Sequence, residues 1–456
     1  MKLYLTTKTF FSRHLSPMRM FVFSFAALIM LGTLALWLPF SASSGSLRFV
    51  DALFTSTSAV CVTGLTSIDI GRDLSFAGQI ITMILFQVGG LGIITFSIVL
   101  FILMGRGISF KGRELTQSAF LHTPKKDFYL IIKKVLLYTL IIESAGTLLL
   151  FFRYVQEFTV PQAFYHAVYS AVSAFNNCGY SLFPDNMMRY QSDILVNVTI
   201  MGLIILGGIG FIVQQEVIAK LRGKEKKLSL HTKIVLITTA ALVVAGAVCF
   251  YFLEMNNVLK GATTQTALLA SFFQSVVPRT AGFNTVDIGS LTNSTILVIM
   301  VLMFIGASPG STGGGVKTTS FAILCLLVFN RIKGNENVNI ANRTIPPELV
   351  DRTISIVFAS AILIGVITAL LLLFGETGSA PSASRYQFIE YVFETFSAFG
   401  TVGLSMNLTP KLNDIQKYAI IMMMFIGRVG PLTLAFALYS SRKRRITYAE
   451  ESVMVG

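Results

Sequence analysis

The chain has 456 residues, of which 54% are hydrophobic and only 13% charged, with a formal net charge of +14. A soluble domain carries roughly 25% charged residues, so the composition excludes an ordinary soluble protein and points to a bilayer. A basic excess also suits a nucleic-acid binder, but no basic stripe with interleaved aromatics occurs, and no nucleic-acid partner is expected.

Residues 1–19 carry Lys2, Lys8, Arg13 and Arg19 and precede an apolar run ending near Trp37. This mimics a signal peptide, but a run of ~19 residues is long enough to span, so it reads as an uncleaved first helix. Further apolar segments follow the first (20–39) at 76–104, 128–152, 194–219, 232–253, 292–329, 352–374 and 415–440. Each can cross a hydrocarbon core that takes ~20 helical residues. Between the first and second, and between each later pair, lie a short helix-like run and a glycine turn. The unit is span, half-helix, glycine turn, span. It occurs at 20–105, 128–220, 232–330 and 352–440, with a tail at 441–456.

The glycine turns are copies of one pattern. They read Val62-Thr63-Gly64, Asn177-Cys178-Gly179, Thr280-Ala281-Gly282 and Thr401-Val402-Gly403, with the glycines 115, 103 and 121 residues apart. Ten residues before each glycine stands an aromatic: Phe54, Tyr169, Phe272 and Phe393. Six before it stand Ser58, Ser173, Val276 and Ser397.

Charge placement gives an orientation. The N-terminus and the stretches 105–134, 220–233, 331–352 and Arg442–Arg445 hold 25 of the 36 basic residues, while the glycine-bearing connections together hold nine. Basic residues favour the cytoplasmic side, so both termini are expected inside and all four glycine turns to enter from outside. The two that remain, Lys317 and Arg428, fall inside even-numbered spans.

The run from Asp51 to Cys61 makes ~16 Å of helix at 1.5 Å per residue and reaches only halfway through a bilayer. Non-helical backbone at that depth requires burial in protein or a water-filled cavity. A half-helix entering from outside aims the negative end of its dipole at mid-membrane, and four such ends on one axis favour a cation. The residues after each end can offer carbonyls in place of a hydration shell. A single loop of this kind would read as packing; four in register read as a pore.

These residues resemble the Trk/Ktr/HKT superfamily of potassium transporters, and most closely the bacterial Ktr membrane subunit. The likeness runs from Phe21 to Tyr439. It implies an all-α polytopic membrane protein: four membrane–pore-loop–membrane repeats, with eight spans and four half-helices around one potassium-channel-like pore. By the same likeness, Val62, Thr63, Gly64, Asn177, Cys178, Gly179, Thr280, Ala281, Gly282, Thr401, Val402 and Gly403 form a K+ filter. The resemblance further implies potassium uptake across the bacterial inner membrane, with sodium dependence, a homodimer, and a cytoplasmic RCK-type regulatory ring that binds ATP or ADP. No cofactor is expected in this chain. The second copy lacks threonine and none has the paired glycines of a potassium channel, which implies looser selectivity.

A second glycine cluster begins 24 to 28 residues after each filter glycine, at Gly89, Gly207, Gly306 and Gly427. For three of these, close helix packing is the expected role. The third, Gly306 to Gly315, holds five glycines and Pro309 and cannot keep a regular helix. The sixth span is therefore expected as two half-helices around a loop at membrane depth. In the resembling family this loop is the gate, which assigns Gly306, Gly310, Ser311, Thr312, Gly313, Gly314, Gly315 and Lys317 to it. Gly310 to Thr318 imitates a phosphate-binding loop but is one residue too long and lies between apolar segments, which excludes that reading. Arg428, near mid-span, costs at least ~2.5 kcal/mol to insert; it is expected to face the pore or a carboxylate, and the resemblance gives it a barrier role below the filter. Lys317 is expected to snorkel or to tether the loop. Glu143 has no assigned role.

Cys61, Cys178, Cys249 and Cys325 lack metal spacing and read as apolar filler. His14, His122, His166 and His231 are scattered. No nucleophile–base or metal cluster falls within the spans, so no enzyme is expected. The rivals are a secondary transporter of sodium or another solute, which predicts inverted repeats, and a sensor that keeps the fold without conduction.

Overall fold

A computed structural model describes residues 17–104, 128–375 and 381–438. The basic stretch 105–127, most of the N-terminal segment and the tail 441–456 lie outside them. Among the described residues the chain is helical apart from one two-stranded hairpin, Asn339–Ile340 against Arg343–Thr344, between the third and fourth repeats.

Each repeat has an outer helix, a half-helix and an inner helix. In the first these are α1 (Pro17–Trp37), α2 (Phe49–Val60) and α3 (Phe76–Met104); in the second, α4 (Phe128–Tyr154), α5 (Val160–Phe175) and α6 (Ile194–Gly208), continued by α7 (Phe211–Leu221). The third has α8 (Leu230–Glu254), α9 (Thr264–Val276) and a split inner element, α10 (Asn293–Phe304) and α11 (Thr318–Ile332). The fourth has α12 (Pro347–Leu373), α13 (Pro381–Gly400) and α14 (Asp414–Val429), continued by α15 (Pro431–Leu438). Helix starts follow local chemistry. Pro161 opens α5 with a preset φ, and Asn413 with Gln416 forms a capping box at α14.

Every outer helix packs on its own half-helix, and every inner helix packs on the half-helix of the next repeat: α3 on α5, α6 on α9, α10 on α13, and α14 back on α2. The sense of the contact never reverses, so the repeats form a closed ring rather than an inverted pair. Its centre is fully buried, with Ala59, Ala174 and Ala398 at 0% exposure. The outward faces of α1, α4, α8 and α12 expose Leu31, Leu140, Ile237 and Phe358, each more than 60% accessible, as a lipid-facing surface does.

By length and composition α1, α4, α8 and α12 can each cross a membrane, and two bent pairs can do so as broken spans. Those pairs correct the expectation of continuous fourth and eighth spans. α6 and α7 meet at 104°, and α14 and α15 at 94°. Both breaks sit at a glycine with positive φ, Gly210 (+92°) and Gly430 (+89°), a conformation other residues reach only with strain. The sixth span is split as anticipated, between Phe304 and Thr318.

Candidate functional site

The four glycine turns meet. A Cβ on Gly64 would collide with the Cys178 carbonyl; one on Gly179 would lie 2.6 Å from the Ala281 oxygen and 2.6 Å from the Gly282 Cα. One on Gly282 would lie 2.6 Å from the Val402 oxygen, and one on Gly403 would collide with the Thr63 carbonyl. The sequence of contacts closes, 64 to 179 to 282 to 403 to 64. Each glycine admits the carbonyl of its neighbour's preceding residue, which explains why a side chain is missing at all four positions.

The backbone repeats as faithfully as the sequence. The glycines have φ of +92°, +81°, +71° and +93°, and the residues two before them also have positive φ: Val62 (+56°), Asn177 (+59°), Thr280 (+79°) and Thr401 (+49°). The residues between, Thr63, Cys178, Ala281 and Val402, are not among the positive-φ positions. Alternating handedness turns successive carbonyls to one side of the strand. Three of the left-handed residues are β-branched, a conformation that costs about 1–3 kcal/mol per residue and persists only where surroundings impose it.

Those surroundings are the half-helix ends. The amides of Thr63, Cys178 and Val402 donate to the carbonyls of Ser58, Ser173 and Ser397 at 2.8, 2.8 and 2.9 Å. The Ser58 and Ser397 hydroxyls accept from the amides of Gly64 (3.0 Å) and Gly403 (3.1 Å), while the Ser173 hydroxyl donates to the Tyr180 carbonyl at 2.8 Å. With these N–H groups bonded back to the half-helix ends, the Thr63, Cys178, Ala281 and Val402 carbonyls lie against the glycines of neighbouring turns. The repeated serine was visible in the sequence without its role, and Val276 breaks it in the third repeat.

The second glycine clusters do more than ease helix packing. Gly89, Gly207 and Gly427 each press against the carbonyl four residues before a turn glycine, that of Val60, Phe175 and Phe399 respectively. In the third repeat the loop itself takes this place. A Cβ on Gly313 would enter the Thr280 hydroxyl, and the Gly314 amide donates to the Thr401 hydroxyl at 3.0 Å. The Gly306 amide donates to Val316 O (2.8 Å), Ser308 to Gly208 O (3.0 Å), and Phe211 to Gly310 O (2.9 Å). Ser311 and Thr312 are buried. The stretch 306–315 is therefore an ordered plug packed against the third and fourth turns.

Lys317 tethers this plug, donating to Gly313 O at 2.8 Å. Arg428, 3% exposed, also holds it: its guanidinium donates to Thr312 O, to Gly89 O at 2.6 Å and to Gly90 O at 3.3 Å. Its partners here are carbonyl oxygens of the first repeat and of the loop, not a carboxylate. Glu143 lies on α4 behind the second turn, in contact with Gln87 and Asn176. Cys61 and Cys178 are buried free thiols, three residues before Gly64 and one residue before Gly179. Among the described residues no group of His, Cys, Asp and Glu is placed to hold a metal.

Residues 4–443 match the family model described as TrkH, cation transport protein. The chain belongs to the TrkH cation transport family. It is 38% identical to the Ktr system potassium uptake protein B of Vibrio alginolyticus over 96% of this chain and 94% of that one. It is 37% identical to the Ktr system potassium uptake protein B of Bacillus subtilis, over 97% of each, and 36% identical to the potassium/sodium uptake protein NtpJ of Enterococcus hirae, over 97% and 98%. The crystal structure of the potassium transporter TrkH from Vibrio parahaemolyticus superposes with a TM-score of 0.73 at 19% identity, covering 95% of this chain and 87% of that one, a likeness of fold. The family is one of multi-pass membrane transport proteins rather than enzymes.

Proposed function

We propose that this chain takes up potassium through the axis of the four-repeat ring. The closed circle of filter glycines carries the reading. Each of the Thr63, Cys178, Ala281 and Val402 carbonyls lies against the glycine of a neighbouring turn, beyond the negative ends of four half-helices, and this supports a site for a dehydrated monovalent cation. No covalent step is involved. Movement follows the electrochemical gradient, each unit charge being worth ~2.3 kcal/mol per 100 mV. The printed functions of the relatives, potassium uptake and potassium/sodium uptake, are of this class.

The loop Gly306–Lys317 then acts as the gate beneath the filter, with Arg428 as the fixed charge that holds it shut. Sodium dependence, a homodimer and a cytoplasmic nucleotide-binding ring complete the proposal, in an inner membrane with both termini inside. The basic segments 220–233 and Arg442–Arg445 suit docking of such a ring. The four repeats serve as structural units of one pore, not as separate domains.

The test is potassium and rubidium uptake by a bacterium lacking its own potassium-uptake systems and expressing this chain, with and without a regulatory subunit, in graded sodium. Growth at low potassium and saturable rubidium uptake are expected. Sodium uptake with no potassium or rubidium entry would favour a sodium transporter instead.

A further inference from the structure

Glu143 is a buried acid that the filter, the gate and the ring contacts leave without a task. It lies mid-way along α4, 8% exposed, on a helix whose other faces look outward. An ionisable side chain inside a span is costly and faces a partner. Its partners are specific. Oε1 accepts from Asn176 Nδ2 at 3.1 Å, and Oε2 accepts from Gln87 Nε2 at 3.3 Å. Asn176 Nδ2 also donates to Gln87 Oε1 and to Val172 O, the latter at 2.9 Å.

Each partner leads to the pore. Asn176 caps α5 and directly precedes the left-handed Asn177 that opens the second filter turn. Its side-chain oxygen fills the space that a Cβ on Gly90 would occupy. Gln87 sits two residues before Gly89, whose carbonyl holds Arg428. Asn177 in turn lies 3.2 Å from the Thr280 hydroxyl of the third turn. The second turn is also the one without threonine, so its shape depends more on what lies behind it.

We infer that Glu143 is a positioning residue for ion selectivity: it fixes Asn176, and through it the backbone of Asn177-Cys178-Gly179. The donor count explains why an acid stands there. Two amide nitrogens approach, one toward each oxygen, and only a carboxylate accepts at both; a carboxamide would turn an N–H toward a donor. Groups that orient a coordinating shell commonly change ion affinity by roughly 10–100-fold when altered. The inference rests on the potassium-filter reading above.

The test is competition of sodium against rubidium uptake in the same bacterium. Glu143→Gln is expected to lower the preference for rubidium over sodium about tenfold, with maximal rubidium flux per transporter changed less than the preference. The exchange Gln87→Glu with Glu143→Gln, which restores a carboxylate to the cluster, returns the preference toward that of the parent. Glu254→Gln serves as a control, because Glu254 is also buried but accepts from Thr292 and Asn257, away from the filter. An unchanged preference in Glu143→Gln, an equal change in Glu254→Gln, or an exchange variant no better than the single one overturns the inference. If neither Gln variant accumulates in membranes, Glu143→Asp, which withdraws both oxygens by one methylene, reads the same preference: a fall supports the role and no change refutes it. Failure of the parent chain to take up rubidium at all would instead refute the potassium reading.

Discussion

Lys417 Nζ lies 2.7 Å from Asp51 Oδ1, with the two side chains only 6% and 11% exposed. One stands at the start of the inner helix of the fourth repeat, the other at the start of the half-helix of the first, so the first and last repeats are pinned together. Ser67 adds a hydrogen bond to the same oxygen at 2.9 Å. Repeats joined by the chain need no such bond; the junction between first and last is the one seam that covalent linkage does not close.

Breaking that pair from one side strands a buried charge, at a cost of about 3–5 kcal/mol. Lys417→Met and Asp51→Asn should each lower the thermal unfolding midpoint in detergent, and the double variant should be less destabilised than the sum of the two. The exposed neighbouring pair of Arg48 and Asp414 is screened by salt, so Asp414→Asn should leave the midpoint nearly unchanged.

Filter glycine substitutions should act on selectivity rather than folding alone. Gly64→Ser, Gly179→Ser, Gly282→Ser and Gly403→Ser each place a Cβ against a neighbouring turn at positive φ. Each is expected to push the turns apart and bring the potassium-to-sodium uptake ratio toward one, measured by competition of sodium against rubidium uptake.

The serines six residues before the glycines offer a graded version of the same test. Ser58→Ala and Ser397→Ala leave the buried amide of Gly64 and the part-buried amide of Gly403 without these partners, costing up to about 1–3 kcal/mol. Both should weaken selectivity. Val276→Ser, at the equivalent place in the third repeat, has no such amide bond to restore and should change it least.

How much of this was legible beforehand divides along a physical line. The repeat could be read because glycine at 64, 179, 282 and 403 answers to backbone geometry, which leaves a mark in residue type. The split of the sixth span was equally plain, since five glycines and Pro309 deny a helix its bonds. The bends at Gly210 and Gly430 were not, because a single glycine in an apolar run reads the same whether it eases packing or reverses φ; what bends the chain at Gly210 is the approach of the Pro309 carbonyl, 2.6 Å from where a Cβ would stand, a neighbour about 100 residues away. The Lys417–Asp51 pair and the Glu143 cluster were likewise hidden, as they join residues whose separation along the chain carries no pattern. Arg428 was marked by its cost in a span, but its carbonyl partners on Thr312, Gly89 and Gly90 required the fold.

The plug gives a further prediction. Arg428→Gln removes the donors to Thr312 and Gly89, and deletion of Gly310–Gly315 removes the loop that fills the space below the turns. Both should leave potassium flux high and less dependent on a regulatory subunit. A folded deletion variant with no transport would remove the gate assignment.

The central claim is that four turns of one chain aim carbonyls at one dehydrated cation. The most direct measurement is a crystal structure of the protein grown in rubidium, with the ion located by its anomalous scattering. A peak on the axis, bounded by the Thr63, Cys178, Ala281 and Val402 carbonyl oxygens, is the predicted result. Saturating rubidium with no peak there, or with the only peak away from the four glycines, would contradict it.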